Sequence, residues 1–424
     1  SRKEGGKIFG SGSRAPIAIS LLVKNPEVEA HGQIYFHDIG DYLSREEKLD
    51  RIADYASVAG IEQWQRIIPD EHGDWLKQRD DSFGQFIALG DKSDKSALSL
   101  FENYSNGVQT NRDAWCYNQS KRVLVNKMES MVSAYNSELA RFQQKHGDKD
   151  RSTRTDLVAN FVSLDATRIS WSSSLIADLV RSKSGVFDES SVMVSLYRPF
   201  MKSWIYYDRM FNHRPYQMPN IFPDESVENR VIWTTGVSAS MAFSCFMSDC
   251  VPDLQGPAKV QCFPLYLYDE VAQASNDDLF AEPVEDGLRR PDAITDGGLV
   301  HFQNAYPGEK ISKEDLFYYV YGILHSPDYR GRFADNLNKE LPRIPAVKKA
   351  ADFWAFSKAG RALAALHLNY ETVAPYPLTI EAKGKLTDAD YRVEKMKFAK
   401  KKDPETGKSV NDRSTVIYNG KITL

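Results

Sequence analysis

Residues 197–216, YRPFMKSWIYYDRMFNHRPY, constrain the chain more than any other stretch. Aromatic and branched side chains favour extended strands over helix. Pro199 and Pro215 interrupt those strands, and a proline-broken segment such as HRPYQMP favours an exposed loop. The same stretch carries Arg198, Lys202, Arg209 and Arg214 against Asp208, a local net charge of +3. Arginine and lysine meet phosphates, arginine forks onto guanine edges, and aromatic planes stack on bases. A buried aromatic strand pair whose arginine stems cover the core edge accounts for the same composition.

The whole chain does not look like a simple polyelectrolyte binder. Its 424 residues carry a net charge of −4, whereas a protein held to DNA by charge alone would be basic. The acidity is concentrated. Residues 269–296 hold nine acids against Arg289 and Arg290, a net −7, so a basic face can exist elsewhere. We expect 269–310 to be an acidic, mobile loop outside the core, because so many carboxylates cannot be buried without partners. No apolar run reaches the ~18 residues of a membrane span. Four cysteines are too few for a disulfide scaffold at this length, and Cys245, Cys250 and Cys262 fit no common zinc spacing. Reduced core thiols and a cytoplasmic location follow as expectations.

Local patterns give the organisation. Residues 17–23 form an apolar strand and 33–38 a second. Ser44 and Glu47 make a capping box for a helix with Leu49, Ile52, Ala53 and Ala56 on its apolar face. Residues 117–144 repeat apolar positions at helical spacing, 146–155 read as a charged loop, and 169–181 as another helix. Residues 191–268 read as strands. Ser312 and Asp315 open a helical region over 312–340, and 357–368 is a further helix. The tail is strand-like with a hairpin signal at Asn419–Gly420. Gly10 and Gly12 precede a strand and Pro16, so they read as a turn, not a phosphate loop. His325 and Ser326 are adjacent, lack an oxyanion loop and read as a helix cap, not a hydrolase pair. Lys400, Lys401 and Lys402 read as a solvated charge run, with phosphate contact the lesser alternative.

An adenine-N6 methyltransferase needs a glycine-rich cofactor loop and an Asn/Asp-Pro-Pro-aromatic loop that holds the flipped base. Neither is in the sequence; Asn25-Pro26-Glu27 is the nearest approach. What remains still resembles one family. IFGSGSRAPIAISLLVKNP is similar to the strand following the catalytic loop of such enzymes. GVQTNRDAWCYN (107–118), YRPFMKSWIYYD (197–208), NHRPYQMPNIFP (212–223), CFPLYLY (262–268), YVYGILHSPDYRGRF (319–333), PRIP (342–345) and FWAFSKAGRALAALHLNYE (353–371) resemble, in order, the C-terminal part of Type ISP restriction–modification enzymes.

The resemblance implies a fold and a role. Residues 1–80 would be an α/β methyltransferase-core remnant, and 81–424 a mixed α+β target-recognition domain that binds double-stranded DNA. It implies partners in the same polypeptide: a nuclease, a helicase-type motor and the rest of the methyltransferase. S-adenosylmethionine would belong to the intact parent, with no cofactor in this chain, which would be an inactive fragment by itself. Asn111, Arg112, Asp113 and Trp115 would stand near the DNA channel, although Asp113 reads equally well as a helix cap. The expected DNA-binding set is Arg112, Arg198, Lys202, Arg209, Asn212, Arg214 and Tyr216. The rival expectation is a structural module that couples motor to methyltransferase without reading bases.

Overall fold

The computed structural model describes residues 17–29, 32–76, 78–94, 96–239, 241–270, 288–392, 395–404 and 407–424. The chain divides into two units, 1–364 and 365–424. Gly10 and Gly12 lie outside the described residues.

The larger unit is a mixed α/β assembly of several small sheets. Near its start, Ile34–Phe36 pairs antiparallel with Gln65–Ile67. Between them runs the helix Arg45–Tyr55, closed by the expected box: Glu47 N donates to Ser44 Oγ at 3.2 Å and Ser44 N to Glu47 Oε2 at 2.6 Å. That helix buries no residue fully; Leu49 and Ile52 on its apolar face stay 39% exposed. Residues 17–23 adopt no regular element, with Leu22 97% exposed and Val23 90%. The expected strand is absent there because an apolar run becomes a strand only when a neighbour takes its backbone bonds, and no described residue does.

The first four-stranded sheet is built on the aromatic–basic stretch. Val192–Arg198 and Met201–Tyr206 form an antiparallel hairpin, with Val192 opposite Tyr206 and Arg198 opposite Met201. Phe200 turns it at φ 58°. Val251–Pro252 joins one edge in parallel and Tyr117–Asn118 the other in antiparallel. The 117–144 helix therefore starts late, as Lys121–His146, because Ser120 caps it and Tyr117 and Asn118 are claimed by the sheet. Leu124, Met128, Met131, Tyr135 and Phe142 line its inner stripe against Leu175 and Leu179 of the helix Ser173–Val180 and against Tyr206 and Phe211. Residues 146–155 are not all loop. Asp150 accepts from Ser152 N and Thr153 N at 2.9 and 3.1 Å and starts the helix Arg151–Val158.

A second four-stranded sheet has the order Ser105–Asn106, Gln261–Pro264, Val231–Thr234, Cys245–Ser248. The expected loop 269–310 is partly corrected. Residues 271–287 lie outside the described residues, but Thr295 caps the helix Asp296–Ala305 and Phe302 packs against Tyr319 and Phe353. A single buried aromatic and a cap outweigh the acidic, glycine-containing start. The helix Lys313–His325 is buried from Leu316 to Leu324. It crosses Ala350–Leu368 so closely that a Cβ at Gly360 would lie 2.0 Å from the Tyr318 carbonyl oxygen. Ser326 caps Pro327–Arg332, accepting from Tyr329 N at 3.4 Å, the cap read from the sequence.

The smaller unit holds one antiparallel sheet in the order Glu381–Ala382, Ile422–Thr423, Ser409–Ile417, Lys397–Lys402. Asn419 Oδ1 accepts from Lys421 N at 2.8 Å and Ile422 N at 2.9 Å, closing the expected hairpin. Among the described residues no helix is long and apolar enough to cross a membrane.

Candidate nucleic-acid interface

Two surface loops of the larger unit are locked together residue against residue. Gln109 N donates to the Arg214 carbonyl at 3.0 Å and Arg214 N returns a bond to the Gln109 carbonyl at 2.9 Å. The first loop is fixed from below: Val108 N donates to the Pro252 carbonyl at 2.8 Å, and a Cβ at Gly107 would lie 2.7 Å from the Asp253 backbone. Each loop also contains a residue in the left-handed region, Asn111 at φ 54° and Tyr216 at φ 53°. Asparagine tolerates that conformation, whereas tyrosine is strained there, a cost that persists only when surrounding bonds impose it.

Those bonds are present. Tyr216 Oη donates to Gln109 Oε1 at 3.1 Å, and Gln109 Nε2 donates to Asn111 Oδ1 at 2.9 Å. Tyr216, Gln109 and Asn111 therefore form a hydrogen-bonded row, with Arg214 exposed beside it. An amide side chain presents a donor and an acceptor side by side, matching the N6 and N7 edge of adenine, and a guanidinium matches the O6 and N7 edge of guanine.

Arg112 and Asn212, expected at the DNA, point inward. Arg112 is 3% exposed; its Nη1 donates to the Phe211 carbonyl and its Nη2 to Ser172 Oγ at 2.5 Å. Asn212 is fully buried, donating to the Tyr206 carbonyl at 3.0 Å and accepting from Asp208 N at 3.1 Å. Both side chains are spent on holding the 206–214 segment in shape, so in this conformation they position the loop and do not reach outward. Burial explains the difference: Arg112 bonds partners 60 and 99 positions away, which no local pattern announces. Beside them burial pushes the Cys116 thiol up to about 12, consistent with a reduced core residue.

At the sheet edge, Arg198 Nη1 donates to Asp253 Oδ1 at 2.7 Å, and its guanidinium lies 3.8 Å from the centroid of Tyr197. Asp113, the first residue of the short helix Asp113–Cys116, accepts from Tyr197 Oη at 3.1 Å and lies 3.9 Å from Arg198 Nη2. Arg198 is thus already neutralised by protein carboxylates. Lys202 pairs with Asp249 at 3.3 Å. Arg209 and Arg214 are exposed and make no side-chain hydrogen bond or ion pair among the described residues. Of the seven expected residues, Arg214 and Tyr216 share one cluster, Arg209 stands in the same loop as a free cation, and Arg198 and Lys202 lie on the hairpin. Gln109 was missed as a site residue; the signal available was its place in GVQTN, after a glycine and two residues before Asn111.

Residues 99–424 match the profile of the Type ISP C-terminal specificity domain. A nuclease-deletion mutant of the Type ISP restriction–modification enzyme LlaGI, solved with a DNA substrate mimic, is 36% identical, with a TM-score of 0.77 over 100% of this chain and 35% of its own. The DrdV–DNA complex is 30% identical, with a TM-score of 0.74 over 93% of this chain and 36% of its own. The ATP-dependent Type ISP enzyme LlaBIII bound to DNA is 33% identical, with a TM-score of 0.71 over 92% of this chain and 23% of its own. This chain therefore spans about a third or less of those proteins. No curated protein matches the chain.

Proposed function

Because the chain belongs to the family of Type ISP C-terminal specificity domains, we propose that it recognises a target sequence in duplex DNA. The observation that carries this reading is the locked loop pair, which holds Gln109, Asn111 and Arg214 at the surface on a backbone strained at Tyr216. Preset amide and guanidinium groups lose little freedom on binding, which favours base readout over loose phosphate attraction. Arg209 supplies a phosphate contact. Lys202 and Arg198 position the duplex only where a phosphate displaces their carboxylate partners.

The finer parts of the reading belong to the larger enzyme. The target base is adenine, methylated at N6 by a core that uses S-adenosylmethionine and flips the base. Residues 1–80 are the tail of that core, and the apolar run 17–23, exposed and irregular here, takes up strand pairing only within the sheet of the intact enzyme. A nuclease and a helicase-type motor complete the polypeptide, which works in the cytoplasm. The same exposed run also suits the rival role of a coupling module, since it offers apolar surface to a neighbouring domain.

Selection of bound duplexes from a random-sequence pool by the purified chain tests the proposal. Enrichment of one short motif is expected. Binding that depends on salt but enriches no sequence would leave only the coupling role.

A further inference from the structure

The smaller unit ends in an edge strand, Lys397–Lys402, whose partner is Ser409–Ile417. The register sets Lys400 opposite Asn411 and Lys402 opposite Ser409. Side chains alternate along a strand, so these four residues share one face, while Ala399, Lys401, Val410 and Asp412 share the other. Burial follows the same alternation: Ser409, Asn411 and Arg413 are exposed, and Val410 and Asp412 are half-buried.

The two faces treat charge differently. On the half-buried face Lys401 is neutralised by Asp412 at 3.2 Å. On the open face Lys400 reaches only a neutral amide, Asn411 Oδ1 at 2.6 Å. Lys402, and Arg413 at the bulge between the paired positions Phe398–Val416 and Ala399–Asp412, are exposed and make no side-chain hydrogen bond or ion pair among the described residues. None of the four paired positions on this face is acidic; Asp403 follows the strand at the turn, bonded through its backbone N to the Lys408 carbonyl at 2.8 Å.

We propose that this open face, with Lys400, Lys402 and Arg413 as its cations and Ser409 and Asn411 as neutral donors, docks on the phosphate backbone of duplex DNA without reading bases. The inference rests on the DNA reading above and adds to it a second, sequence-independent contact. Two lysines about 7 Å apart on a rigid strand present separate charges to separate phosphates. Hydroxyl and amide donors beside them are the side chains that commonly join lysine and arginine at phosphates. Lysines on an edge strand also prevent sheet-to-sheet pairing, and that role predicts no effect on DNA.

The test is the salt dependence of binding by the full chain to two unrelated labelled duplexes, read by fluorescence anisotropy. Each phosphate contact adds about 0.9 to the slope of log K against log salt. Lys400→Ala/Lys402→Ala/Arg413→Ala is expected to lower the slope by about 2 to 3 and to weaken both duplexes by the same factor. Lys402→Ala alone, at an exposed position that tolerates change, is expected to lower it by about 1. Lys400→Arg/Lys402→Arg and Lys401→Ala are expected to leave the slope as in the parent. A parent chain that binds with a slope unmoved by Lys402→Ala and by the triple change overturns this contact alone. A loss confined to one duplex sequence also overturns it. A parent that binds neither duplex overturns the DNA reading and this contact together.

Discussion

Asp253 receives Arg198 Nη1 at 2.7 Å, yet its carboxyl is pushed up to about 6. Burial is the main cause: Asp253 is 2% exposed, and the cost of desolvating its charge outweighs the Gln255 backbone bond and the arginine. An acid whose folded pKa is raised favours the folded state fully below its unfolded pKa of 3.8, and that advantage is lost as pH rises through about 6. The shift corresponds to about 3 kcal/mol. In Asp253→Asn the titration disappears. Urea unfolding from pH 4 to 7 should show the parent losing stability relative to the variant by up to that amount, with a plateau above about pH 6. A constant difference across this range would mean that Asp253 is ionised throughout.

Gly107 is held against the Asp253 backbone with no space for a methyl group. Gly107→Ala must push two backbone segments apart, an overpacking cost of about 1–3 kcal/mol. The shift should appear as a lower urea midpoint with unchanged slope. DNA affinity should fall with it, because the loop carrying Gln109 moves.

Arg112→Met keeps the stem volume but takes the charged donor away from the Phe211 carbonyl and from Ser172 Oγ, which keeps its bond from Leu175 N at 3.3 Å. Removing a buried charged donor costs about 1–3 kcal/mol. Discrimination between sequences should change only as far as the loop loosens. If Arg112→Met keeps full stability and removes all sequence preference, Arg112 acts at the DNA and not beneath it.

The places where sequence reasoning worked and failed follow from the range of the interactions. The box at Ser44–Glu47, the cap at Ser312 and the Asn419 turn involve residues three positions apart or fewer, and each forms as read. The strand at 17–23 needed a partner that the described residues do not offer. Asp150 and Thr295 start helices inside segments whose charge and glycine content suggested loop, because one cap and one packed face suffice. In the site, proline spacing marked the exposed loop of Arg214 and Tyr216. It did not reveal that Asn212, two residues before Arg214, is fully buried, or that Gln109 lies across from Arg214.

Arg214 and Arg209 should separate readout from attraction. Both are exposed without an ion pair, so alanine at either should change stability by no more than about 0.5 kcal/mol. Arg214 stands beside the amide row, where a lost fork onto a base edge costs about 1–3 kcal/mol against the preferred sequence alone. Arg214→Ala should therefore lower affinity for the selected motif, leave a scrambled duplex nearly unaffected, and relax one position of the motif in a repeated selection. Arg209 sits outside that row. Arg209→Ala should weaken both duplexes equally and lower the salt slope by about 1. Competition binding on the two duplexes at several salt concentrations distinguishes these outcomes. Equal losses on both duplexes for Arg214→Ala would reduce it to a phosphate contact and move base readout to Gln109 and Asn111, whose alanine variants would then carry the change in specificity.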